Sequence, residues 1–422
     1  MKHRLRLGAI AVCFLTTNAL GATAEPLPRA DPARHGFSAA GLQRIDRFFA
    51  DEIARDRIPG AVVAIARQGH LVYYKAMGFQ DKQAGTPMRL DSVFQLASMT
   101  KPMVVVGALT LYEEGKLPLL SPLARYFPQF ASTGVGLIDA TNVRTEPMKH
   151  PITIQDLMRH TSGITYGGRA STPIHKMWPA TSSAAAFQMN GAEFMDHIAK
   201  LPLLYQPGTT WDYSLSIDAL GMVIEKVTGK TLGEALQERV WSKVGMPDTT
   251  FAAVAEKRGR IAQPLSNDPI SGKRQSIRLL REAPKFECGG GCAFGTAGDY
   301  VRFGQMLLNG GAIDGQRVLS PRTIEFMTAD HLGTQIKNNV AGTEPHRDGY
   351  GFGLGVMVRT QRGVAASNGS VGDYSWNGAN GTSWWNDPKE QLVVVTMTVG
   401  PGEIRKYYRE QMAALVYGAM ER

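Results

Sequence analysis

The clearest strand signals in this chain stand at its two ends, and that separation limits the folds open to it more than any single motif does. Gly60-Ala61-Val62-Val63-Ala64-Ile65-Ala66-Arg67, the turn Gln68-Gly69-His70 and the run Leu71–Gly78 read as a hairpin. Far downstream, Gly353–Val358, Tyr374–Gly378, Thr382–Asn386 and Gln391–Val399 are short runs rich in aromatic and β-branched residues, and each is predicted as a strand. Consecutive hairpins favour an antiparallel sheet, so both chain ends must meet in one sheet. A helix capped by Ser38, with Leu42, Ile45, Phe48, Phe49 and Ile53 at helical spacing, and a last helix over Glu403–Met420 would flank it. Between Leu117 and Leu332 helical segments alternate with long turn-rich connections such as Thr161–Ser182 and Ser266–Arg281, and no hairpin is expected there. The expected class is α+β: an antiparallel sheet from about residues 37–90 and 340–422, with a large, mainly helical lobe over 91–339 inserted between.

A chain of 422 residues exceeds what one core usually fills, which favours two lobes with a cleft at their interface. Its first 24 residues run from Lys2, Arg4 and Arg6 through an apolar stretch to Ala22-Thr23-Ala24, the pattern of a secretory signal cleaved near Ala24. Cys13, preceded by Val12 inside that stretch, does not fit a lipid-modified cysteine at the cleavage point. The stretch is too short to span a bilayer and no later one is long enough, so a periplasmic or secreted protein without stable membrane insertion is expected. The net charge of +9 falls to +6 without the three basic side chains of residues 1–24. That excess is spread out, with no block of five Lys/Arg, which argues against a nucleic-acid partner. Cys288 and Cys292 flank Gly289-Gly290-Gly291 and fit either a small disulfide or two free thiols. A lone C-x-x-x-C offers half a zinc cage, so neither a metal nor another cofactor is expected.

Within Phe94-Gln95-Leu96-Ala97-Ser98-Met99-Thr100-Lys101-Pro102 a hydroxyl and an amine stand three residues apart where an apolar helix over Met99–Tyr112 should begin. Residues at i and i+3 are neighbours on a helix surface, so Ser98 and Lys101 can meet. Serine needs a neighbour to take its proton, and a helix N-terminus favours developing anions. Ser98 as a helix cap and Lys101 as a solvated side chain is the plainer alternative. Lys101 is the one lysine of the chain with a serine three positions before it. Tyr213, in Trp211-Asp212-Tyr213-Ser214-Leu215-Ser216 after Pro207-Gly208, is a candidate proton relay or a packed aromatic. Tyr374-Ser375-Trp376-Asn377-Gly378-Ala379-Asn380-Gly381 is a strand with internal glycines, which marks a close backbone approach or a tight hairpin.

Together these elements resemble the serine β-lactamase and penicillin-binding-protein superfamily, in its class C and family VIII esterase branch. The resemblance rests on S-x-x-K opening a helix, Y-S-x-S after P-G-x-x-x-x-Y, and the C-terminal strand at Trp376. It extends to Leu157–Gly163, to Gly289-Gly290-Gly291 and to Phe294–Tyr300. It implies Ser98 as nucleophile, Lys101 as the base, Tyr213 as the proton-shuttling hydroxyl, and the backbone N–H groups of Ser98 and Ala379 as an oxyanion hole. It gives no catalytic part to His160, whose surroundings read as a structural turn.

Three positions depart from that pattern. Leu215 stands where such β-lactamases carry an asparagine, Trp376 where they carry a lysine, and Asn377 where the esterases carry glycine in W-G-G. Losing both polar groups removes hydrogen bonds worth roughly 1.5–3 kcal/mol each to charged groups, weakening any grip on a β-lactam. Leu215, Trp376, Asn377 and Gly378, with Trp211, Trp384 and Trp385 nearby, are therefore expected to form an apolar substrate pocket. The expected function is a serine hydrolase acting on small, neutral short- to medium-chain esters. A β-lactamase or D-alanyl-D-alanine carboxypeptidase is the alternative within the superfamily, and a non-catalytic binder of cell-wall peptides or a protein partner the alternative outside it. The oligomeric state is left undetermined by the sequence.

Overall fold

A computed structural model describes residues 25–139, 142–251, 255–280 and 282–421; the leader predicted over residues 1–24 lies outside them. The first helix, α1 (Ala39–Ala54), starts at Ser38, whose hydroxyl accepts the N–H of Gly41. It leads into β1 (Gly60–Arg67), β2 (His70–Asp81) and the short β3 (Thr86–Pro87). The helices α2 (Thr100–Glu113), α3 (Ser216–Thr228) and α4 (Ala297–Leu308) follow within a long, mainly helical stretch. The chain then returns to strands β4 (Tyr350–Phe352), β5 (Met357–Arg359), β6 (Tyr374–Asn377), β7 (Ser383–Asp387) and β8 (Leu392–Thr398), and ends in α5 (Ile404–Tyr417).

All eight strands form one antiparallel sheet in the order β4-β5-β6-β7-β8-β1-β2-β3. The two ends of the chain join where β1 meets β8, with Val63 opposite Thr396 and Ile65 opposite Val394. Strand side chains alternate between faces, and here both faces are covered. Ala61, Val63 and Ile65 pack with Leu42, Ile45 and Phe49 of α1 and with Tyr408, Met412 and Val416 of α5. Val62, Ala64 and Ala66 pack instead into the larger core containing α2, α3 and α4. That explains why β1 reads as an unbroken apolar run rather than an alternating one.

The structure departs from the sequence reading in three places. Gly353–Val358 is not a strand: β4 ends at Phe352, the chain turns through Gly355 at φ 76°, and β5 begins at Met357. Two hairpins do interrupt the helical region, a two-residue pairing of Ala312–Ile313 with Gln316–Arg317 and a longer one of Gly134–Asp139 with Asn142–Pro147. The residues of the longer one are mostly exposed, Leu137 and Ile138 among them, so no buried alternating face marked it in the sequence.

Candidate active site

Ser98 is presented by a strained turn. Phe94–Gln95 pairs with Phe294–Gly295, and a 3-10 turn over Ala97–Met99 leads directly into α2. Ala97 has φ 48°, a region non-glycine residues avoid at a cost of about 1–3 kcal/mol. The surrounding bonds hold it there: Thr100 Oγ1 donates to Ala97 O at 2.7 Å and accepts from Ala293 N at 3.1 Å, while Leu96 N donates to Ala293 O at 2.9 Å. The N-cap position of α2 is Met99 and carries no side-chain cap, so Ser98 does not serve as one.

Lys101, in the first turn of α2, is 1% exposed, which rules out the solvated reading of its side chain. Its Nζ has three oxygen partners: Ser98 Oγ at 3.3 Å, Tyr166 OH at 3.2 Å and Gly290 O at 2.5 Å. It also lies 4.5 Å from the centre of the Tyr213 ring. A neutral lysine has two N–H donors and one lone pair. Gly290 O can only accept, so if Tyr166 OH takes the second N–H, the lone pair is left for the Ser98 hydroxyl.

Tyr213 is fixed by its flanking backbone, with Trp211 N donating to Lys337 O and Asp212 N to His160 O, both at 2.9 Å. Trp376 Nε1 donates to the Tyr213 hydroxyl at 3.2 Å, so Trp376 acts on the site through Tyr213. The hydroxyl that Lys101 touches is that of Tyr166, which the sequence reading did not single out. His160 is buried and lies edge-on to the Tyr213 ring, centroids 5.0 Å apart. Burial above all pushes its pKa well down, and its Nδ1 meets Ser214 Oγ at 3.1 Å. It is a neutral packing residue of the Tyr213 loop.

Strand β6 closes against the nucleophile turn. A Cβ on Gly378 would stand 2.3 Å from Leu96 O and 2.0 Å from Thr382 Oγ1, so only glycine fits. Beyond it, Ala379 and Asn380 line a cleft of about 520 Å³ together with Ser98, Tyr166, Arg169 and Tyr213. Gln95 ties the two sides together, donating to Gly291 O at 2.5 Å and accepting from Asn380 Nδ2. The backbone N–H groups of Ser98 and Ala379 donate to no other group among the described residues.

The expected apolar pocket is not what lines this cleft. Leu215 and Trp211 are fully buried, in the main core and in a smaller cluster with Phe352 respectively, and Trp376 is 2% exposed in that smaller cluster. Trp384 is buried on another side, against Tyr300 and Phe303, and Trp385 lies against Tyr417. Asn377 borders a separate small pocket with Ser383 and Arg409. These large side chains satisfy the sheet's packing, which composition cannot distinguish from lining a ligand site.

Two more groups, Ser182 and Asp218, join the site unannounced by the sequence reading. Ser182 Oγ lies 2.8 Å from Tyr166 OH and donates to Asp218 Oδ2 at 2.7 Å, and Gly290 N donates to Asp218 Oδ1 at 2.8 Å. Cys288 and Cys292 are disulfide-bonded around Gly290, which resolves the choice the sequence left open. The available signal was Asp218 itself, a carboxylate in the first turn of a helix otherwise apolar at Ile217, Leu220 and Ile224. Among the described residues no group of three or more His, Cys, Asp or Glu could hold a metal ion, and no helix is long and apolar enough to cross a membrane.

The fold is that of a serine hydrolase, built on an antiparallel sheet with an inserted, mainly helical region. The chain belongs to the β-lactamase family, whose model matches residues 45–417. It is 30% identical over 389 residues to esterase EstB of Burkholderia gladioli, spanning 87% of this chain and 93% of that protein. It is 31% identical over 376 residues to the lovastatin esterase of Penicillium rubens, spanning 82% and 90%. Among solved structures it resembles EstCE1, described as a hydrolase with promiscuous acyltransferase activity. The TM-score is 0.72 at 26% identity, over 90% of this chain and 100% of that one.

Proposed function

We propose that this protein is a carboxylesterase that forms an acyl-enzyme at Ser98 from short- to medium-chain esters. The observation that carries this reading is the 3.3 Å approach of Ser98 Oγ and Lys101 Nζ at an open cleft. Lys101 takes the Ser98 proton as Oγ attacks the ester carbonyl, and the N–H groups of Ser98 and Ala379 receive the developing oxyanion. The tetrahedral intermediate collapses, and the leaving alkoxide takes a proton passed on by Lys101 or the Tyr213 hydroxyl. Water then repeats the sequence on the acyl-enzyme and releases the acid. Leu215, buried where a β-lactamase asparagine would stand, and the two relatives named as esterases support esters over β-lactams.

The test is hydrolysis of a p-nitrophenyl acyl-length series beside a chromogenic cephalosporin, with Ser98→Ala as control. Butyrate- to octanoate-length esters should turn over fastest, and Ser98→Ala should lose at least 1,000-fold in kcat, within the range for removing a nucleophile. A cephalosporin hydrolysed faster than every ester would overturn the substrate assignment, and an active Ser98→Ala the nucleophile.

Export belongs to the same reading. It is supported by the basic-then-apolar pattern of residues 1–24 and by the Cys288–Cys292 bond, since disulfides persist in oxidising compartments. N-terminal sequencing of the protein expressed in a bacterial host should begin near Glu25 in the extracytoplasmic fraction; a retained Met1 would refute it.

A further inference from the structure

Beneath the cleft the hydrogen bonds close a ring. It runs from Lys101 Nζ to Tyr166 OH, Ser182 Oγ and the Asp218 carboxylate, then through the N–H and carbonyl of Gly290 back to Lys101. Lys101, Tyr166, Ser182 and Asp218 are all 7% exposed or less, so solvent does not exchange freely with these bonds. Among the described residues Asp218 has no ion-pair partner in contact. Burial pushes its carboxyl up to about 6, leaving it an anion at neutral pH. Burial and the Asp218 charge push Tyr166 well above the usual phenol range, so its proton stays on.

An ionised carboxylate can only accept hydrogen bonds. Ser182 must therefore donate to Asp218, which leaves its oxygen to accept from Tyr166. Tyr166, having donated its one proton, must accept from Lys101. We infer that Asp218 is a positioning residue for acyl transfer: it fixes the direction of the hydrogen bonds through Ser182 and Tyr166 and so leaves the Lys101 lone pair for the Ser98 hydroxyl. The inference rests on the reading of Lys101 as the base. In the step it serves, the Ser98 O–H bond breaks and an N–H bond forms at Lys101. The electron pair of the broken bond makes the Oγ–carbonyl bond, and the carbonyl π pair moves onto its oxygen. Asp218 supplies the charge opposite the ammonium that results.

Asparagine at 218 is close in shape but can reverse the chain. Its Oδ1 keeps the bond from Gly290 N, while its amide N–H donates to Ser182. Ser182 then donates to Tyr166, and Tyr166 to the Lys101 lone pair, in competition with Ser98. Asp218→Asn should lower kcat on p-nitrophenyl butyrate on the order of 100-fold, within the range for general acid–base groups, with KM within about threefold of wild type and a melting temperature no lower than wild type. Adding Tyr166→Phe removes the hydroxyl that would occupy the lone pair, so the double variant should be no slower than Asp218→Asn alone. A merely structural Asp218 would instead give losses that multiply.

The inference is overturned if Asp218→Asn keeps more than a third of wild-type kcat, or if the two losses multiply. Should Asp218→Asn fail to fold, Ser182→Ala carries the test, with at least a tenfold fall in kcat at unchanged KM expected and wild-type kcat overturning it. Ser98→Ala and Lys101→Ala in the same assay separate the two levels. Inactive controls beside a fully active Asp218→Asn refute only the inference, whereas active controls refute the reading on which it rests.

Discussion

Gly290 shows how much of this site depends on a single missing side chain. Its backbone works in both directions at once, the carbonyl accepting from Lys101 at 2.5 Å and the N–H donating to Asp218 at 2.8 Å. A Cβ there would stand 2.2 Å from Asp218 Oδ2 and 2.3 Å from Ser182 Oγ, both buried and hydrogen-bonded to each other. Glycine is required by space rather than by φ. Gly290→Ala should therefore cost about 1–3 kcal/mol as an overpacked site and lower kcat at least tenfold, because relief means moving a partner of Lys101. Urea unfolding and steady-state kinetics on p-nitrophenyl butyrate check both halves; unchanged kcat would show that the ring tolerates displacement. Residue by residue, the sequence disclosed the groups that lie close together along the chain. Ser98 and Lys101 are one helical turn apart, and the structure brings them within 3.3 Å. Tyr166, Ser182 and Asp218 meet Lys101 only through tertiary packing, across 65 residues between Lys101 and Tyr166, and no local spacing announces that.

Among the elements, the strands that read most clearly are those buried on both faces. β1 and β8 are buried throughout and mostly apolar, and their pairing across more than 300 positions follows from each needing a partner on either side. The 134–147 hairpin escaped because exposed strands carry no periodic apolar signal, and the 353–358 segment misled because apolar residues such as Leu354 and Val356 also fill buried turns. The loop 288–292 lies between these cases: the sequence supplied two cysteines and three glycines but not whether the thiols joined. Joined, they brace Gly290 within a closed loop whose ends are four positions apart. In the chain-entropy account a loop this short contributes about 2 kcal/mol. Replacing both cysteines by alanine should lower stability by about that amount and lower kcat more than KM, as Gly290 loses its brace. Stability from urea unfolding and kcat both matching wild type would show that packing alone holds the loop.

At the scale of the whole molecule, burial places several carboxylates where ionisation is costly, three of them most strongly. Asp218, Asp299 and Asp373 are each pushed up from 3.8 to about 6, with burial the largest cause in every case. Surface carboxylates act the other way, Glu114 being held down at about 2 chiefly by its hydrogen bond from Arg239. The measured pH dependence of stability is therefore a sum of opposed terms, and one buried group has to be isolated by difference. Asp299 suits this because both of its partners, Asp248 N at 3.0 Å and Thr249 Oγ1 at 2.7 Å, donate to the same oxygen, Oδ2. An asparagine carbonyl oxygen can accept both. Below about pH 4 the aspartate is protonated in both folded and unfolded chains, and its titration contributes no difference. As pH rises from about 4 to 6 the unfolded chain releases the proton while the folded chain keeps it, so wild type loses stability; above 6 the full penalty is present. The stability of Asp299→Asn relative to wild type should thus rise between pH 4 and 6 and stay level above pH 7. Urea unfolding of both proteins at intervals from pH 4 to 8 measures that difference directly, and a difference independent of pH would mean that Asp299 titrates in the folded protein as it does in water.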